Sequence, residues 1–478
     1  MQLFLFEFFF LRRKKNGQAL TQSENPCQKS KIQQPANRKT NFSQPIMLTK
    51  NQTIKTEITD MNNLGYGISR QDGIVIFTDG GVTGDVLEIK IIKTAKDYAV
   101  GRVERVLVPS EKRDDSLCKV SKRCGGCAFR GIKREYELEL KRGFVMSAFR
   151  KSRVDAVINP VLTDGVTCGY RNKVQYPVAP GGDYGYYARH THDIIKYDAC
   201  LLSDPHLEPI ARYASEYIKN AGANVRHIYL RRGQMTGETM FCLVSPSDRL
   251  PEEQALISGL IGRFPEIKSI VHNINRTDGN VILGKAVRVL YGRDRIEDVL
   301  CGCRFGISSL SFYQVNRGAA ELLYREAIKR ASSGSPERIA DLYCGAGTIG
   351  ISFAKAHPGI SVTGVEIISD AVKNAAENAE LNGVSNAEFI CADALTAPLD
   401  GFGCVMIDPP RKGMSQGLVE RLCRIKPPHI VYVSCEPATL ARDAAALISA
   451  GYRMADVTPV DMFPGTGAVE CVTDFVID

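Results

Sequence analysis

The stretch "RIADLYCGAGTIG", Arg338 to Gly350, pairs a short apolar run with a glycine-rich turn that leads into a helical pattern. The first half has the character of a strand buried on both faces, and the second that of a ligand-binding loop. Working outward from it, strand patterns recur as "SVTGVEI", "AEFICAD", "CVMIDPP" and "HIVYVSC", and "ADVTPVDMF" and "VECVTDFVI" close the chain. Helical patterns are expected between the first five strands. Such alternation predicts an α/β fold, a doubly wound, Rossmann-like parallel sheet covered on both faces.

In that architecture ligands bind beyond the carboxyl ends of the strands, at the switch in strand order. Several motifs fall there. Gly345 and Gly347 allow close backbone approach, and with Gly350 they come near a dinucleotide fingerprint without matching it. Glu366 ends the second strand about 20 residues on, where a carboxylate binds a ribose diol. Asp393 ends the third, within reach of an adenine amino group. Asp408, followed by Pro409 and Pro410, forms a rigid lip after the fourth. NAD is the rival ligand, but no histidine or lysine presents itself for hydride transfer. The order of motifs favours S-adenosylmethionine (SAM).

With 478 residues the chain exceeds one compact core, so two or three domains are expected. A hydrophobic share of 44%, a charged share of 24% and a mean hydropathy of −0.13 describe a soluble globular protein. The net charge of +8 points weakly to an anionic partner. "MQLFLFEFFFLRRKK" carries its positive charge after the apolar run and is too short to span a bilayer, so it is neither a secretory signal nor a membrane anchor. Residues 16–46 read as disordered. Either Met47 is the initiator or residues 1–46 are a disordered extension. A cytoplasmic location is expected.

Residues 47–108 read as a small β-barrel of the OB type, with strands in "DGIVIFTDG", "DVLEIKIIKT" and "YAVGRVERVLV". Residues 109–330 read as a mixed α+β region, with helices in "YELELKRGFVMSAFRKS" and "DPHLEPIARYASEYIKNAG". Residues 331–478 form the Rossmann-like domain. Fifteen cysteines are spread along the chain, which is unlike a small disulfide-stapled domain. Cys118, Cys124 and Cys127 cluster in "CKVSKRCGGC", and Cys200 offers a fourth thiol. Such an array suits an iron–sulfur cluster or a four-cysteine zinc ion. Lys119, Lys122, Arg123, Arg130, Lys133 and Arg134 surround it, which suits phosphate contacts. Cys168, Cys242, Cys391, Cys404 and Cys423 read as packing thiols, as do Cys301 and Cys303.

The set "CKVSKRCGGC", "SFYQVN", "DLYCGAGTIG", "IDPPRKG", "VYVSCEPATLARD" and "FPGTGAVECV" in this order resembles the RNA uracil-C5 methyltransferase family, in particular its 23S rRNA members. The resemblance runs from about residue 47 to the end of the chain. It implies a TRAM-type barrel at 47–108 and a 4Fe–4S cluster held by Cys118, Cys124, Cys127 and Cys200. It implies SAM contacts from Gln314, Tyr343, Glu366 and Asp408, with Asp393 nearby. Cys435 becomes the nucleophile and Glu470 the base, on 23S rRNA or alternatively the T-loop of tRNA, by a monomeric enzyme. Asp408 could orient the uracil edge and Arg411 hold a phosphate. One departure stands out, because Gly465 and Ala468 replace histidines expected before the glutamate. The implied chemistry is coherent, since C5 of uracil is a weak nucleophile until a thiolate adds at C6. The competing reading is an amino-group methyltransferase, whose mechanism needs no cysteine.

Overall fold

The structure, a computed structural model, describes residues 48–116, 118–196, 199–277 and 279–477. The expected start at Met47 and the extension before it lie outside these residues. The chain forms two compact units, one of residues 48–60 and 67–109 and one of residues 61–66 and 110–477.

The first unit belongs to a six-stranded sheet containing the three strands read above, as Ile74–Asp79, Val86–Thr94 and Tyr98–Val108. Alternating residues face inward, so Ile54, Ile58, Ile76, Leu87, Ile89 and Ile91 share one small core.

In the second unit the eight-stranded sheet consists of β1 (Arg338–Leu342), β2 (Ser361–Glu366), β3 (Ala387–Cys391), β4 (Cys404–Ile407), β5 (His429–Ser434), β6 (Arg453–Met454), β7 (Thr458–Val460) and β8 (Glu470–Val476). Its order is β3-β2-β1-β4-β5-β8-β6, with β7 also paired to β8. The first five strands run parallel, and β8 returns antiparallel to β5. The switch in order falls between β1 and β4. Helices α1 (Arg317–Ala331), α2 (Thr348–Ala356) and α3 (Ser369–Leu381) cover one face. Ile339, Val362, Met406 and Val431 meet them there. Helices α4 (Gln416–Ile425) and α5 (Pro437–Ser449) cover the other, packing on Ala340, Leu342, Val405 and Tyr432. A long helix, Arg134–Lys151, adds Val145 and Phe149 to that second core.

One expectation fails. No helix separates β3 from β4, because the Asp393 carboxylate accepts from the backbone of Leu395 at 2.8 Å and its carbonyl takes Thr396 and Ala397 into a tight turn. Pro398 then stops any helical continuation.

The central region contributes a five-stranded sheet, ordered 286–292, 267–274, 239–245, 227–232, 173–177, with helices Leu207–Ala221 and Glu253–Arg263 on one face. Tyr229, Met240, Cys242 and Val271 on its other face join the core that holds α1 and α2.

Candidate active site

At the end of β1 the chain takes an unusual path. Tyr343 has φ of 63°, a left-handed value for a residue bearing a side chain, and Gly347 has φ of 77° where α2 begins. A side chain on Gly347 would sit 2.9 Å from Ile351 and 3.0 Å from Phe389, so only glycine fits. Gly345, by contrast, faces open space. Gly350 donates its N–H to the buried Asp341 carboxylate at 3.0 Å, which closes the loop against the strand. Glu366 accepts from Gly345 N at 3.2 Å and Ile368 N at 2.9 Å, holding its carboxylate over the turn with lone pairs to spare for hydroxyl donors. Asp393 lies exposed at the neighbouring strand end.

Gln314, 9% exposed, reaches this edge through Tyr324 of α1. The Tyr324 hydroxyl lies 2.9 Å from Thr348 Oγ1, the first residue of α2, and senses both Gln314 and Asp408. Burial raises its ionisation well above the usual phenol range.

On the other side of the switch point, the antiparallel register pairs Ser434 of β5 with Cys471 of β8. The ladder ends at that pair, so Cys435 follows the end of β5 beside the start of β8, where Glu470 lies and acts on its thiol. Asp408 belongs to the same group. Its carboxyl is pushed up to about 7 by burial. Glu470, 6% exposed, is pushed up to about 8 by burial and then by Asp408, against the Arg411 guanidinium. The half-buried Cys435 thiol is pushed up to about 12 by burial, then by Glu470 and Asp408, again against Arg411. Cys435 also precedes α5, whose N-terminus is capped by Glu436 accepting from Ala438 at 3.4 Å, with Pro437 in the first turn. A helix N-terminus favours a thiolate.

Two supports escaped the sequence reading. Asp443 of α5, 2% exposed, accepts from Tyr432 Oη at 2.8 Å and Met414 N at 3.0 Å. It thereby folds the loop after Asp408 onto α5. The loop leading to Glu470 is held by a buried ionic group. Lys141 bridges Glu137 at 2.8 Å and Asp461 at 2.5 Å, and Arg134 also pairs with Asp461. Glu137 in turn accepts from Gly465 N at 2.7 Å, and the Gly465 carbonyl accepts from Phe129 N at 2.9 Å. Gly465 has φ of 81°, and Arg130 fills the space beside it. A glycine in place of histidine is therefore suited to this turn, which side chains adopt only with strain.

The four expected metal ligands share a neighbourhood. Burial raises Cys124 and takes Cys127 up to about 11; Cys127 feels Cys200 and Cys124, and Cys124 feels Cys200 and Cys118. Among the described residues no three His, Cys, Asp or Glu side chains converge closely enough to hold a single metal ion, and every described cysteine is free. Also among them, no helix is long and apolar enough to cross a membrane.

Residues 312–424, which contain the glycine loop and Asp408, match the Methyltransferase small domain family. A Bacillus cereus protein described as an RNA methyltransferase is 36% identical over 445 residues, covering 88% of this chain and 96% of its own. A Clostridium tetani RNA methyltransferase is 36% identical over 447 residues, covering 89% and 97%. In structure the chain is similar to the Pyrococcus abyssi tRNA (uracil-54, C5)-methyltransferase bound to S-adenosyl-L-homocysteine, at 27% identity and a TM-score of 0.73, over 88% of this chain and 99% of that one. With these relatives and a SAM-type loop at the strand switch, the chain belongs to the RNA methyltransferase family and is a SAM-dependent enzyme.

Proposed function

We propose that the protein methylates C5 of a uridine in RNA through a covalent bond to Cys435. The observation that carries this reading is that Glu470 and Asp408 both act on the Cys435 thiol, in one desolvated group at adjoining ends of β4, β5 and β8. Bound at Gln314, Tyr343, Gly345, Gly347, Glu366, Asp393 and Asp408, SAM supplies an electrophilic methyl group. The Cys435 thiolate adds to C6, and the electron pair of the C5–C6 bond moves toward the C4 carbonyl. C5 then takes the methyl group as its bond to the sulfonium sulfur breaks, which would release S-adenosylhomocysteine. The Glu470 carboxylate removes the remaining C5 proton, the C5–C6 double bond re-forms, and the C6–sulfur bond breaks to return the thiolate. Asp408 orients the uracil edge, and Arg411 steadies the charge around Cys435 and Glu470. The target base leaves its stack, or lies in an unpaired loop, to reach these groups.

The cysteine loop fits a 4Fe–4S cluster on Cys118, Cys124, Cys127 and Cys200, with zinc as the alternative. The resemblance of the ordered motifs favours the cluster over a zinc ion. The cluster would order the basic loop and supply no electrons to the reaction. The proposed domains are a TRAM-type RNA-binding barrel at 47–108, a central RNA-binding region at 109–330 and the methyltransferase domain at 331–478, in a monomeric cytoplasmic enzyme.

The substrate we favour is 23S rRNA, on the resemblance of the ordered motifs. The likeness to the Pyrococcus tRNA enzyme supports tRNA as the second reading. Mapping 5-methyluridine in both RNAs from cells with and without the gene separates them. Loss of a site in 23S rRNA supports the first, and loss in tRNA alone replaces it with the second. No lost 5-methyluridine in either would overturn the proposal.

A further inference from the structure

Lys173 and Arg231 sit opposite each other in the antiparallel pair of strands Lys173–Pro177 and His227–Arg232. Arg171, two residues before Lys173, falls on the same face. The three charges lie close enough that Arg231 and Arg171 both press on the Lys173 ammonium, which burial first brings down to about 7. Among the described residues no acidic side chain pairs with any of them. Arg231 is 1% exposed, and its Nη1 donates to the carbonyls of Ser308 at 3.3 Å and Ser311 at 2.9 Å. Its Nε is buried with no partner, and so is the hydroxyl of Tyr229 on the same face. Arg171 and Lys173 stay partly open to solvent, whereas Arg231 is buried.

Cations buried without a counter-charge are strongly unfavourable, and a bound anion would relieve that cost. The position of this cluster narrows what that anion is. The turn that Arg231 holds leads into "SFYQVN", and Asn172, between Arg171 and Lys173, donates to the Gln314 carbonyl at 3.0 Å. On the same turn Leu310 is 53% and Phe312 72% exposed. Basic side chains beside an exposed aromatic ring suit a single nucleic-acid strand, whose backbone they track.

We propose that Arg171 and Lys173, backed by the buried Arg231, bind a phosphodiester of the RNA strand flanking the nucleotide presented to Cys435. This rests on the reading that the chain acts on RNA. The ligand class is a phosphate monoanion in single-stranded RNA, read for charge and not for sequence.

The test uses the full-length protein and a fluorescein-labelled single-stranded 20-nucleotide RNA of mixed sequence, titrated at several salt concentrations. Lys173→Gln and Arg171→Gln are each expected to weaken RNA binding about tenfold at 0.1 M salt, and to reduce the slope of log Kd against log salt by about 0.7. Lys173→Arg should keep the wild-type slope, and SAM affinity should stay within twofold in every variant. Unchanged RNA slopes in folded glutamine variants overturn the site. A loss of SAM affinity with RNA binding intact also overturns it, by assigning the basic cluster to the cofactor's carboxylate. If the wild-type protein itself shows no salt-dependent RNA binding, the RNA reading falls too.

Discussion

Binding of SAM should expel protons from this enzyme. Asp408 is held up to about 7 and Glu470 up to about 8, each chiefly by burial. At pH 7 the free enzyme therefore carries Asp408 about half protonated and Glu470 about nine-tenths protonated. A sulfonium placed about 5 Å from Asp408 interacts with its carboxylate by about 3 kcal/mol at an effective dielectric of 20. That lowers its pKa by about two units. The complex then binds fewer protons than its parts, so affinity rises with pH. The rise is at most about tenfold per unit for each group, and it flattens above about pH 8, where the free enzyme is already ionised. S-adenosylhomocysteine lacks the charge and should bind with little pH dependence. Calorimetry at pH 7 in buffers of different ionisation enthalpy counts the protons directly. Release of about half a proton or more is expected for SAM, with Asp408→Asn removing about half a proton of it. A SAM to S-adenosylhomocysteine affinity ratio that stays constant from pH 6 to 8, with no proton released, would refute the reasoning.

Glu470→Gln should stall the reaction after methyl transfer, lowering turnover by about 100-fold or more and leaving a methylated RNA–protein adduct visible on a denaturing gel. The same variant reports on burial. Because the folded-state value of Glu470 lies above the ordinary glutamate value of 4.5, its stability contribution is lost as pH rises from about 4.5 to 8. The melting advantage of the glutamine form should therefore grow from pH 5 to 8, by at most about 4 kcal/mol, and an advantage independent of pH counts against a buried acid. Lys141→Met leaves Glu137 and Asp461 sharing Arg134 alone, so unfolding by denaturant should show a loss of about 3–5 kcal/mol. Gly345→Ala puts a methyl into the open side of the loop, where the proposed mechanism puts SAM. It should weaken SAM far more than the roughly 1 kcal/mol its left-handed φ costs the fold, as a paired binding and melting measurement would show.

The parallel sheet was legible because both of its faces are covered, which writes each strand as a continuous apolar run such as "HIVYVS". The residues at the strand ends were legible for a related reason. Glycine turns and single carboxylates interrupt those runs at the points where the fold places its ligand. The central sheet offered no such contrast. Tyr229, Met240 and Val271 bury one face under α1 and α2 while Leu230, Phe241 and Ile270 bury the other under helices, so no alternation marks the strands. The turn after β3 was misread as helix because apolar spacing alone does not reveal that Asp393 satisfies its own backbone. Long-range polar partners were beyond reach. Lys141 and Asp461 are 320 residues apart in sequence, and nothing local in either segment announces the other. The cluster of Arg171, Lys173 and Arg231 was hidden in the same way, since Lys173 meets Arg231 only through strand pairing.

The covalent mechanism depends most directly on the thiol of Cys435. RNA carrying 5-fluorouridine in place of uridine cannot give up a proton at C5, so elimination is blocked after addition and methyl transfer. Incubated with SAM and such RNA, the wild-type protein should form a complex that survives denaturing electrophoresis, and Cys435→Ala should form none. Uridine methylation that persists in Cys435→Ala, with no adduct from the wild type, would contradict the covalent mechanism.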